Sequence, residues 1–372
     1  MSEGLNADIL FAYVGIITTA TISIYAGSHG SLPKSKDRGK RSDNGEDEDE
    51  DDSALQLTAE DAWLFPLLGS VLLVGLFLVV KYLGKEWINW FMSLCFGLAG
   101  LYRVPYSFIS LAKFTLGTQR WSQFTNHQVK VGFRATQVIS FSCRTPSIFI
   151  VPLGMIPSAL YLFYCGPKKP ILLTNILALC FGHDAMSTLK VDSFRTGSIL
   201  LSGLFFYDIW WVFGTKVMVS VATSLDLPMK ILWPKSTTVE NGNMMLGLGD
   251  IVVPGTFVAL ALRYDHFRYT RDPAGIFVKP YFVASLVAYV SGLAIAMTIM
   301  HVFHAAQPAL LYLSPACILS FVFTAWRRGE LIEAWRWNDG VSTTSKKGDV
   351  VDKSTSNTAG GACSEPSDAV SS

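Results

Sequence analysis

Leu204-Phe205-Phe206-Tyr207-Asp208-Ile209-Trp210-Trp211 and Gly247-Leu248-Gly249-Asp250-Ile251-Val252-Val253-Pro254 each set one carboxylate inside an apolar run. Asp208 is the only charged residue between Arg195 and Lys216, and Asp250 is isolated until Arg263. An ionised side chain at the centre of a membrane helix costs roughly 2.5–3.5 kcal/mol on insertion scales, so each acid needs a reason to be there. The rest of the reading turns on whether these runs cross a membrane and whether the two acids meet.

The bulk composition answers the first question. Half of the 372 residues are hydrophobic, only 16% are charged, and the mean hydropathy is +0.36. A water-soluble domain of this size carries more charge, so the apolar excess is matched to lipid. Runs of roughly 17–25 apolar residues cross a bilayer as helices. The sequence predicts nine, over 9–26, 63–83, 88–108, 147–165, 171–189, 196–214, 244–262, 281–301 and 307–326. The fold class is therefore an all-α polytopic membrane protein. Three organisational units are expected: helices one to five with a polar loop at 27–62 (residues 1–189), helices six to nine (190–330), and a disordered tail (331–372). The first run lacks a basic leader and a small-residue cleavage site, so it reads as a retained helix and not a removed signal peptide.

Lysine and arginine set the orientation. With nine helices, 22 of them fall on the side holding 27–62, 109–146, 190–195, 263–280 and the tail, against 6 on the other side. The positive-inside rule then predicts a cytosolic C-terminus and a lumenal or external N-terminus. On this topology the sixth helix ends near Gly214, six residues past Asp208, and the seventh begins near Met244, six residues before Asp250. At about 1.5 Å per residue, both carboxylates are expected on the order of 9 Å below the same face.

Two carboxylates at one depth on consecutive antiparallel helices suit acid–base hydrolysis. They share one proton, the ionised partner activates water, and the protonated partner polarises a carbonyl. The same pair also suits a proton relay in a transporter. Around Asp250, Gly247 and Gly249 let another backbone approach the carboxylate. Pro254 has no N–H for the Asp250 carbonyl, so the helix is loosened at the acid. Gln307-Pro308-Ala309-Leu310-Leu311-Tyr312 opens the last helix, where proline is by itself an ordinary first-turn residue.

Taken together, Tyr207-Asp208, Gly247-Leu248-Gly249-Asp250 and Gln307 with Pro308-Ala309-Leu310 resemble the signal peptide peptidase branch of the GxGD intramembrane aspartyl proteases, relatives of presenilin. Phe213-Gly214-Thr215-Lys216-Val217-Met218-Val219 after the first acid is similar as well, and the likeness covers roughly residues 170–330. The resemblance implies a presenilin-like fold, with Asp208 and Asp250 as the catalytic pair. Tyr207, Gly247, Leu248, Gly249, Gln307, Pro308, Ala309 and Leu310 would support the site or contact the substrate. It further implies an endoplasmic reticulum enzyme acting on remnant signal peptides and type II membrane proteins, with the N-terminus lumenal. The short segment before the first helix favours this branch over members with a large lumenal domain. Partners are thus transmembrane peptides and the lipid bilayer, and a homo-oligomer is compatible with the sequence.

Other chemistries find little support. The net charge of +1 leaves no surplus for nucleic acid. Cys95, Cys143, Cys165, Cys180, Cys317 and Cys363 show no metal or redox spacing. His301 and His304 do not match HExxH and read as interfacial, so neither a metal nor a cofactor is expected. His183-Asp184 reads as an interfacial pair, and Arg103 as a residue that snorkels or pairs with a neighbouring helix. A proton-coupled transporter would show paired broken helices in two inverted halves, whereas the polar features here crowd into helices six, seven and nine. A catalytically silent member that only binds signal peptides remains a third reading.

Overall fold

A computed structural model describes residues 7–32, 55–117, 120–121, 123–133, 136–163, 170–215, 217–218, 221, 227–234, 243–271, 278–303 and 307–339. The basic cluster at 34–41, the acidic run at 46–52, His304 and the tail beyond 339 lie outside them. Nine long helices are described: α1 (Ala7–Gly30), α2 (Ala59–Leu83), α3 (Lys85–Leu116), α4 (Thr145–Phe163), α5 (Ile171–Thr188), α6 (Phe194–Phe213), α7 (Gly249–Arg271), α8 (Pro280–Phe303) and α9 (Leu310–Arg328). A short α10 (Leu331–Arg336) follows. Each long helix overlaps one predicted span. Local signals set several ends. Thr58 and Asp61 form a reciprocal capping box at the start of α2, Ser193 caps α6 through the Thr196 N–H, and Gly329 at φ 70° closes α9.

Eight of the nine are long and apolar enough to cross a membrane. The exception is α7, which carries Asp250, Arg263, Asp265, Arg268 and Arg271. Its environment explains how it can. Every residue from Pro254 to Asp265 is buried, because α1, α5, α6, α8 and α9 pack around it. A helix enclosed by protein does not need an apolar face for lipid. By contrast, α2 presents Trp63, Leu64, Leu67, Leu68, Val71 and Leu72 outward, as a lipid-facing helix does. The main core joins residues of α1 and α5 to those of α6–α9, so packing is continuous across residues 189 and 190.

Three short strand pairs lie among the helices. β1 (Leu55–Leu57) pairs in parallel with β4 (Leu189–Val191), β2 (Asn126–Phe133) with β3 (Thr136–Arg144), and β5 (Lys230–Pro234) with β6 (Asn243–Gly247). The last pair corrects the start of the seventh helix. Residues 243–247 are extended and α7 begins at Gly249, because the two strands satisfy each other's backbone groups and glycine at 247 and 249 disfavours helix. The depth expected for Asp250 from helical rise therefore does not apply. The last helix likewise begins at Leu310 and not at Gln307.

Described parts of several segments assigned to one side by charge lie together. β1 lies beside β4, Lys279 Nζ is 3.0 Å from His29 Nε2, and Ser193 bridges to Asn338. The opposite end holds β5 and β6, where Trp233 packs on Phe11 and Asn175 binds both backbone groups of Leu232. Arg103 pairs with a neighbouring helix, both Asp184 oxygens lying 2.9 Å from its Nη1. His183 contacts Ser110 instead of Asp184, so these two neighbours are buried residues with separate partners and not an interfacial pair.

The expected disorder from residue 331 is also corrected. α10 leads into Trp337, which is 8% exposed and packs on Phe194, Tyr264 and Phe267. Asp339 Oδ2 accepts from Arg263 Nη1 at 2.7 Å, while Nη2 donates to the Val191 carbonyl at 2.9 Å. A buried guanidinium requires such partners, so the chain past residue 331 is ordered by the charge it neutralises. Asp339→Ala is expected to destabilise the protein by roughly 3 kcal/mol or more. Trp337→Ala should cost about 3–5 kcal/mol by opening a cavity. Denaturant midpoints of the purified variants in detergent check both, and unchanged midpoints would contradict this role for the segment.

Candidate active site

Asp208 lies on α6, which packs between α2 and α9. Trp211 Nε1 donates to Ser70 Oγ at 3.2 Å, and the Tyr207 ring lies against Gly69, so the outer face of this turn is held by α2. The inner face carries Asp208, which is 4% exposed. Its Oδ2 accepts the backbone N–H of Leu310 at 3.1 Å. That amide is one of the first-turn donors of α9, which have no acceptor within their own helix. Pro308 lacks an N–H, and Ala309 offers its carbonyl to Tyr312 and Leu313. The Pro308-Ala309-Leu310 element thus meets Asp208 through its backbone, and the helix N-terminus favours negative charge there.

Asp250 arrives by a different route. β6 ends at Gly247, the Leu248 N–H donates to the Met229 carbonyl at 2.8 Å, and the Leu248 carbonyl accepts from Ile251 and Val252 to start α7. Asp250 therefore sits in the first turn, where strand becomes helix. A side chain at Gly247 would come within 3.1 Å of Asp250 Oδ2, so glycine there spares the carboxylate a tight contact. A side chain at Gly249 would meet nothing within 4 Å, so space opens beside the acid. Asp208 and Asp250 are within electrostatic reach of each other.

The remaining expected residues divide. Tyr207 interacts electrostatically with Asp208 while its ring packs toward α2. Leu248 points at Gly182 on α5, which makes it a packing residue anchoring the hairpin. Gln307 and Ala309 are half-buried at the entrance to α9, and Pro308 and Leu310 are buried. Among the described residues, no three His, Cys, Asp or Glu side chains converge where a metal ion would sit.

Two features were missed from sequence. The β5–β6 hairpin was hidden because Ile231-Leu232-Trp233 and Met244-Met245-Leu246 are apolar without alternation. The cue available was a pair of short apolar runs, one ending at Pro234 and the other at Gly247. Its burial does alternate in β6, with Met244 and Leu246 buried and Asn243 and Met245 exposed. The second is Asn175 on α5, whose amide pairs with both backbone groups of Leu232. An amide within an apolar run was its cue.

Comparison with known proteins shows the family. The chain is 33% identical to the signal peptide peptidase of Homo sapiens over 342 residues, covering 89% of this chain and 84% of the relative. It is 35% identical to a probable intramembrane protease of Schizosaccharomyces pombe, covering 76% and 84%. Intramembrane protease 2 of Caenorhabditis elegans is 43% identical over 197 residues, covering 48% of this chain and 42% of the relative. The family model described as signal peptide peptidase matches residues 49–340, a stretch that includes both acids, the hairpin between them and the ordered segment ending at Asp339. This chain belongs to the signal peptide peptidase family.

Proposed function

We propose that Asp208 and Asp250 are the catalytic pair of this intramembrane aspartic endopeptidase, with one proton shared between them. The observation carrying the assignment is their convergence: two acids on different elements, within electrostatic reach, beside open space at Gly249. In the reaction the ionised carboxylate takes a proton from water as its oxygen attacks the peptide carbonyl carbon. The protonated carboxyl gives its proton to the carbonyl oxygen. The tetrahedral gem-diol then collapses, the C–N bond breaks, and the leaving nitrogen is protonated by the dyad. The Leu310 amide and the positive end of α9 favour Asp208 as the ionised member at the start.

A transmembrane substrate hides its peptide bonds in helical hydrogen bonds, so the segment to be cut must be extended. β6 offers a template leading directly to Asp250. On the other strand, the Leu232 N–H donates to Asn175 Oδ1 and the Leu232 carbonyl accepts from Asn175 Nδ2, so Asn175 occupies the outer edge of β5 at that point. Its cross-strand partner is Met245, and in such a non-hydrogen-bonded pair the Met245 backbone groups also point outward. The substrate strand adds along β6, with Gly249 leaving room where it reaches the acids.

Remnant signal peptides and type II membrane proteins are the substrates this reading favours, in the endoplasmic reticulum membrane, with residues 190–330 as the catalytic unit. A lumenal N-terminus and a cytosolic C-terminus are supported by the lysine and arginine distribution and by described parts of those segments lying together. The transporter alternative has no comparable support, since the relatives are proteases.

Asp208→Ala and Asp250→Ala are each expected to abolish cleavage of a labelled signal peptide by purified protein in detergent. Turnover by either variant at even a hundredth of the normal rate would refute the assignment. Gly249→Leu should insert and fold normally yet cut nothing, because the side chain fills the space beside Asp250; normal cutting would exclude that role. Met245→Pro removes an outward N–H without removing a β5–β6 bond, and its cleavage rate is expected to fall at least roughly tenfold. An unchanged rate would rule out strand addition at β6.

A further inference from the structure

Asn175 gives both ends of its amide to one residue of the hairpin. From the second turn of α5 its Nδ2 donates to the Leu232 carbonyl at 2.7 Å, and its Oδ1 accepts the Leu232 N–H at 2.8 Å. Met245 stands opposite Leu232 across the ladder. Two turns further along the same face of α5, Gly182 lies against Leu248, where a side chain would come within 3.0 Å of Cδ1. The spacings agree. The seven residues from Asn175 to Gly182 rise about 10 Å as helix, and the three from Met245 to Leu248 reach about 10 Å as extended chain. The hairpin therefore lies along α5 with two matched ties, the second of them two residues before Asp250. Packing alone would be served by an apolar side chain at 175, without the cost of placing an amide in a membrane helix. What the amide adds is direction, because a hydrogen bond weakens steeply once its geometry is lost.

We propose that Asn175 is a positioning residue that sets which peptide bond of the substrate is cut, by holding the hairpin in one register along α5. The role rests on strand addition at β6, as argued above. Asp208 is fixed to α2 and α9, whereas Asp250 follows β6 in the chain. A substrate strand paired with the outward groups of Met245 is carried by the hairpin as well. The tie at Leu232 thus sets both the approach of Asp250 to Asp208 and the substrate bond that stands between them. Without it, Leu232 keeps a donor and an acceptor with no partner on α5, and shifts of the hairpin that satisfy them elsewhere are no longer opposed.

Asn175→Ala, Asn175→Leu, Trp337→Ala and Met245→Pro are compared with the unaltered protein in detergent, using mass spectrometry of the fragments of a labelled signal peptide, kcat/KM and thermal midpoint. Asn175→Leu keeps the volume without the polar atoms, so it isolates the hydrogen bonds even if the alanine variant folds poorly. Both Asn175 variants are expected to lower kcat/KM about tenfold and to spread the cuts over bonds one or two residues to either side of the main site. Trp337→Ala, which is destabilised at the opposite end of the bundle, should lower the midpoint and leave the cut where it is. An unmoved cut in the Asn175 variants, or the same spread in Trp337→Ala, would overturn the inference. Full activity in Met245→Pro would remove strand addition, and the role of Asn175 with it. A slowed Met245→Pro beside an unmoved cut in the Asn175 variants would remove the role of Asn175 alone.

Discussion

A helix carrying Asp250, Arg263 and Asp265 cannot face hydrocarbon, and the architecture follows from enclosing it. α1, α5, α6, α8 and α9 surround α7 so completely that twelve consecutive residues are buried. Enclosure then creates further demands. The Arg263 guanidinium, deep in the protein, must find acceptors, and it draws in the Val191 carbonyl and Asp339. Asp265 accepts the Phe282 N–H at 2.9 Å and so caps the start of α8. The charges on α7 thus organise one end of the bundle, and Asp250 occupies the other.

At that other end the acids are held by contrasting means. Asp208 is fixed twice, by a regular helix locked onto α2 and by the Leu310 amide of α9. Asp250 follows a strand, a turn and two glycines, a backbone with fewer internal restraints. On the proposed reading, a rigid acid facing an adjustable one suits a site that admits an extended peptide and then closes around it. In that proposal the hairpin links substrate and acid, because β6 carries a strand edge and leads directly into the turn that bears Asp250.

Much of this was legible in the sequence, for reasons that can be named. The lengths of the apolar runs placed nine helices, since bilayer thickness sets a minimum span. Asp208 and Asp250 stood out because isolated acids in such runs are costly. Described residues of the segments placed on one side by charge meet in space, as β1 with β4 and His29 with Lys279 illustrate. Where the reading missed, the local signal was weak or misleading. Residues 243–247 are as apolar as a helix start would be, and only pairing with 230–234 makes them a strand. Trp337 and Asp339 sit in a polar stretch whose order comes from Arg263, 76 residues away in sequence from Asp339.

The sequence by itself determined that the chain lives in a membrane, where its helices lie, and which two carboxylates demand explanation. Hydrophobic length and the cost of charge in lipid are local properties that a linear chain displays. Only the tertiary structure decided that α7 is enclosed and that the Leu310 amide meets Asp208. The same holds for Gly247 lying close against the Asp250 carboxylate. Those facts depend on contacts between residues distant in sequence, and a hydrogen bond or a close approach has no counterpart in composition or spacing.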